Sequence, residues 1–138
     1  MADLTITAAN VLAGANSVVE SGVAGATITQ GNTLYFDTTT NKWKLADNDD
    51  ATVLVRMSGK GGIALNAASD GQPLSVLRAG NVVIGATLTA GTAYYLSANP
   101  GKICPVGDLV TGKTVVLIGI ATSTTNLNVA INYTGVTL

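Results

Sequence analysis

From Asn126 onward the chain alternates: Leu127, Val129, Ile131 and Tyr133 are spaced by Asn126, Asn128 and Asn132. A period of two puts the apolar set on one face of a strand and the asparagines on the other. Just before it, Thr114 to Ala121 is apolar at nearly every position, the pattern of a strand covered on both faces. Ser123-Thr124-Thr125 predicts the turn between them, so the two runs form a hairpin. Thr33 to Asp37 and Lys42 to Leu45 predict a second hairpin around the polar loop Thr38-Thr39-Thr40-Asn41, with Trp43 and Leu45 on one face. Ala51 to Met57 is rich in valine and reads as a further strand. Leu74 to Arg78 reads as another, entering a turn at Ala79-Gly80-Asn81. Asp3-Leu4-Thr5-Ile6-Thr7 alternates polar and apolar and predicts a short strand, and Ala8 to Ser17 a flexible connector.

These runs repeat. Gly25-Ala26-Thr27-Ile28-Thr29-Gln30-Gly31 leads into Leu34-Tyr35-Phe36, and sixty residues later Gly85-Ala86-Thr87-Leu88-Thr89-Ala90-Gly91 leads into Tyr94-Tyr95-Leu96. Gly62-Ile63-Ala64 follows the first block and Gly119-Ile120-Ala121 the second. Ordered recurrence of several landmarks points to a tandem duplication of a β unit. The expected fold is all-β: a compact sandwich or barrel built from two related β units, with a short N-terminal strand or arm. Residues 1–17 form the strand and connector. Residues 18–138 form a single β domain, its units covering about 18–80 and 81–138.

Composition narrows what such a domain does. Charged residues make up 11% of the chain, against about 25% in a typical domain, and the net charge is −1. A surface so poor in charge is weakly protected against association; it suits either a tolerant small β domain or, as the preferred reading, a protein whose surface lies largely inside an assembly. The seven cations are scattered, so the clustered charge that binds nucleic acid is missing. The longest apolar run, Val115 to Ala121, is far short of the ~20 residues that span a bilayer, and the N-terminus reads as no signal peptide. Neither nucleic acid nor membrane is an expected partner.

Chemistry is scarce. Without histidine the chain lacks the usual general base and the commonest metal ligand, and a lone Cys104 builds no zinc site. Glu20 is the only glutamate. Asp47-Asn48-Asp49-Asp50 lacks the glycine and the distal glutamate of a calcium loop and reads as a solvated acidic loop. Gly59-Lys60-Gly61-Gly62 lacks the spacing and the following helix of a phosphate loop and reads as a turn or bulge. No enzymatic activity and no cofactor are expected. Trp43, Tyr35, Tyr94, Tyr95 and Tyr133 are the only platforms on which a glycan or small ligand could stack, with Trp43 read first as a hairpin anchor and at most one of Tyr94 and Tyr95 buried.

Two stretches carry a resemblance: Gly85 to Gly91 running into Tyr94-Tyr95-Leu96-Ser97, and Val116-Leu117-Ile118-Gly119-Ile120-Ala121 followed by Val129-Ala130-Ile131-Asn132. In this succession the chain resembles the capsid decoration, or cement, proteins of tailed bacteriophages. The resemblance implies a non-enzymatic virion protein on the exterior of an icosahedral head, assembled in the host cytoplasm and bridging neighbouring copies of the major capsid protein. It implies self-association, as a homotrimer first and a dimer second. It also implies an N-terminal segment that adds a strand to the capsid lattice, a role that falls here on Ala2, Asp3, Leu4, Thr5, Ile6 and Thr7. A tail or fibre component is the nearest alternative, and a glycan- or small-ligand-binding module the alternative of another class.

Overall fold

Every ladder between named strands is antiparallel in the computed structural model, which describes residues 3–138. The strands are β1 (Leu12–Ala13), β2 (Val18–Val23), β3 (Thr33–Asp37), β4 (Lys42–Leu45), β5 (Gly61–Ala64), β6 (Pro73–Val83), β7 (Ala93–Leu96), β8 (Ile103–Pro105), β9 (Thr114–Ala121) and β10 (Asn126–Thr137). One helix, α1 (Ala51–Gly59), lies between β4 and β5. The sheet runs β4-β3-β5-β6-β10-β9-β7-β8, with β1 and β2 along the other side of β6. It curls into a half-barrel, an all-β fold as expected.

Taken from either end, the order is the same. β4-β3-β5-β6 makes one half, β8-β7-β9-β10 the other, and they meet where β6 pairs with β10. Leu34 faces Leu45 and Gly62; Tyr94 faces Pro105 and Gly119. Gly31 N donates to Ala64 O at 2.9 Å, and Gly91 N to Ala121 O at 2.7 Å. The landmarks that recur in the sequence thus hold equivalent places. Glycine at the Gly62 and Gly119 slots has a physical reason. A Cβ there would stand 2.7 Å from Leu77 O and 2.3 Å from Asn128 O, so the neighbouring strand leaves no room for one.

The main core lies where the halves meet, with Leu77, Val82, Ile84, Leu96, Ile103, Val116, Ile118 and Leu127 buried in it. A second cluster, around Ile28, Leu34, Trp43 and Val76, fills the first half alone. There β2 runs on into Ala24, which bridges Trp43 and turns the sheet back on itself.

Several expectations fail. Ala51 to Met57 is not a strand but the body of α1. Asp50 caps it, accepting from Thr52 N at 2.9 Å and Val53 N at 3.3 Å, and Val53, Leu54 and Met57 recur at helical spacing on the buried face. Burial of that face outweighs the weak helix propensity of valine. Ala79-Gly80-Asn81 is no turn: β6 runs through it, Gly80 taking φ +96° where the partner changes from β5 to β10 on one side and from β2 to β1 on the other. The expected unit boundary at residues 80 and 81 therefore falls inside a strand. Asp3 to Thr7 joins no ladder, and the expected connector holds a 3-10 turn (Ala8–Asn10) and β1.

Candidate interaction surface

The N-terminal segment is extended and seated on its own domain. Leu4 N donates to Ile103 O on the outer side of β8 at 2.8 Å, Thr7 N donates to Gly85 O at 2.8 Å, and Asn99 Nδ2 donates to Asp3 Oδ2 at 2.8 Å. Leu4 and Ile6 turn inward onto the main core, while Thr5 and Thr7 face out. The predicted alternation is present; the strand is not, because single bonds to Ile103 and Gly85 are too far apart to make a ladder. Of the expected contact residues, Asp3, Leu4, Thr5, Ile6 and Thr7 are placed in this way, and Ala2 lies outside the described residues.

Thr5 and Thr7 form one rim of an open depression of about 740 Å³, completed by Asn10, Leu12, Gly85 and Thr125. Its walls mix threonine hydroxyls, the Asn10 amide and main chain with the apolar side chains of Val11, Leu12 and Val83, and no lining side chain is ionisable. Leu12, at 66% exposure, stands beside it, and Val18, Val19 and Val23 continue the apolar exposure along β2 on the same side of β6.

Charge is largely paired within the chain. Among the described residues six of the seven cations form ion pairs: Lys42 with Asp70, Lys44 and Arg56 with Asp37, Lys60 and Arg78 with Glu20, and Lys113 with Asp49. Lys60 Nζ sits 2.7 Å from Glu20 Oε2 and 4.3 Å from the centre of the Phe36 ring, which fully accounts for the lysine of the glycine-rich stretch. Gly59 and Lys60 end α1 and Gly61-Gly62 open β5, in place of the expected turn or bulge.

The acidic loop is likewise occupied with structure. Asp50 caps the helix, Asp49 pairs with Lys113 at 3.1 Å, and Asp47 Oδ1 accepts from Asp49 N at 3.2 Å. Burial, with Asp49 beside it, pushes the Asp47 carboxyl above its ordinary value. Among the described residues no three His, Cys, Asp or Glu side chains are grouped to hold a metal. Cys104 is buried on β8, where burial pushes its thiol up to about 11 and keeps it protonated at neutral pH.

The aromatic side chains do not gather into a platform. Trp43 is buried to 0% and packs edge-on to Phe36, with ring centres 5.4 Å apart; Tyr35 and Tyr94 are buried too. Tyr95, the neighbour of Tyr94, is half-exposed, as alternation requires. Of the four tyrosines only Tyr133, far along β10, is exposed. No helix among the described residues is long and apolar enough to cross a membrane. No protein-family model matches the chain, and no curated protein matches it.

Proposed function

We propose that this chain is a structural virion protein that binds the outer surface of an icosahedral phage head and stabilises it by bridging neighbouring major capsid subunits. The observation that carries this reading is the surface itself. Apolar side chains are displayed on strands, at Leu12, Val18, Val19 and Val23, while nearly every cation is ion-paired to an acid of the same chain. Such a surface recognises by shape and main-chain pairing. A rigid β block that touches several subunits at once opposes their sliding apart, and simultaneous contacts multiply weak ones. The extended segment Asp3 to Thr7 offers its outward threonines and main chain beside this surface.

The reading is tested by incubating the purified protein with empty expanded heads and measuring occupancy by sedimentation and by cryo-electron microscopy. Saturable decoration of the head, and loss of decoration with Thr5→Lys or Leu12→Lys while the fold is retained, supports it. Absence of head binding, or density on the tail alone, overturns it. Of the aromatic side chains a glycan could stack on, Trp43, Tyr35 and Tyr94 are buried, which leaves Tyr133 and the half-exposed Tyr95.

A further inference from the structure

Most margins of the sheet are closed or guarded. β2, whose second side also meets no strand among the described residues, carries the charged Glu20 and leads into the Ala24–Trp43 bridge, β4 carries Lys42 and Lys44, and β8 receives the Leu4 N–H on Ile103 O. β10 differs. β6 pairs with it only from Asn126 to Val129, and from Ala130 to Thr137 its second side meets no strand among the described residues. Most side chains are open there as well, with Ala130, Asn132, Tyr133, Thr134 and Val136 exposed, while Ile131 turns onto the main core on the side where α1 lies against β10. No residue from Thr114 to Leu138 carries a charged side chain, and none is proline. Natural sheets blunt exposed edges with lysine, proline, bulges or a covering segment. This edge has only shifts of register around Ala130-Ile131 and Thr134 to Val136, which bend it without charging it.

We propose that Ala130 to Thr137 is an interface with a second copy of this chain, the two β10 strands pairing antiparallel about a twofold axis. The choice of partner follows from charge. In a twofold pairing each side chain near the axis faces a residue of the same strand, so one lysine would be set close to another. A strand with no charge is compatible with itself. A charged strand seated there would give up hydration with no opposite charge to meet it. The pairing joins two half-barrels into one continuous sheet and covers Tyr133 and Val136. One strand pair buries less than the roughly 1,200 Å² of a standard stable interface, so the dimer is weak and its formation depends on concentration. The proposal concerns the free protein and stands whether or not the chain binds a phage head.

The test is the mass of the intact protein by sedimentation equilibrium, from low-micromolar to submillimolar concentration. The expected result is a rise from 13.8 kDa toward twice that value. Tyr133 stands near the centre of the stretch. Tyr133→Lys and Tyr133→Glu, checked for fold by circular dichroism, should each weaken association about tenfold, and mixing the two should restore it. Thr40→Lys, exposed in the loop between β3 and β4, should leave it unchanged. Hydrogen exchange on the unaltered protein gives a reading free of any folding defect: amides from Ala130 to Thr137 should gain protection as concentration rises. A monomer at every concentration, a trimer, association indifferent to Tyr133→Lys, or exchange at Ala130 to Thr137 that ignores concentration would overturn the proposal.

Discussion

Gly22 lies beneath the indole of Trp43, so close that a Cβ on it would stand 2.5 Å from Nε1. The ring is fully buried and cannot swing away from the added atom without displacing the wall of the smaller core.

Gly22→Ala should therefore cost about 1–3 kcal/mol through overpacking and shift the emission of the chain's single tryptophan. Urea unfolding followed by fluorescence measures both. An unchanged midpoint would show that β2 does not press on Trp43.

Asp37 ties the first hairpin to α1. Lys44 Nζ lies 2.9 Å from Oδ2, Thr39 N donates to Oδ1 at 2.9 Å, and the Arg56 guanidinium binds Oδ1. The Lys44 hydrogen bond first, then Thr39 N and the charges of Arg56 and Lys44, hold the carboxyl well below the usual range. A depressed folded value means stability that is fully present above the unfolded value of about 3.9 and lost as pH falls below it. Asp37→Asn should be less stable at neutral pH and lose less on acidification from about pH 5 to pH 2. Parallel acid unfolding of the variant and the unaltered protein would mean that another group is responsible.

Asp50 begins the helix. Asp50→Ala should cost about 0.5–2 kcal/mol and Asp50→Ser much less, measured by chemical denaturation. Equal losses for both would place the role of Asp50 outside capping.

The N-terminal segment contributes to its own fold. Removing residues 2–7 lifts Leu4 and Ile6 off the core and should destabilise by roughly 1–2 kcal/mol for each of these half-buried side chains. Ile6→Ala should show about half of that effect in a thermal melt. A truncated protein as stable as the intact one would mean that the segment is only loosely seated.

Head binding through uncharged strands should change little with ionic strength, since contacts of this kind have no screened charge to lose. Occupancy measured at low and at moderate salt checks this. A steep fall would point to recognition by charge.

Much of the fold could be seen in the residues alone. The Asn126–Tyr133 alternation marked β10, and the Tyr-Phe-Asp and Asn-Lys-Trp flanks placed the first hairpin with its four-residue loop, as the pairing of Asp37 with Lys42 shows. α1 was hidden because valine at 53 and 55 speaks for a strand, while the capping Asp50 and the buried 53-54-57 spacing speak for a helix only when taken together. Gly80 misled because a positive φ serves a turn and a strand irregularity equally well. The surface was harder to foresee. Alternation in Asp3 to Thr7 told which side chains turn inward, but Ile103 and Gly85, the groups that receive the segment, are far away in sequence, and no local pattern encodes such a meeting. The open margin of β10 could not be inferred either, since it depends on β6 parting from it after Val129.

The bond from Leu4 to Ile103 fixes an order of events during synthesis. Leu4 and Ile6 must wait, unseated, until the strand that holds Ile103 has been made. Until then both side chains remain available to any neighbouring nascent chain, and crowding on a polysome would favour an exchange of this segment between two molecules.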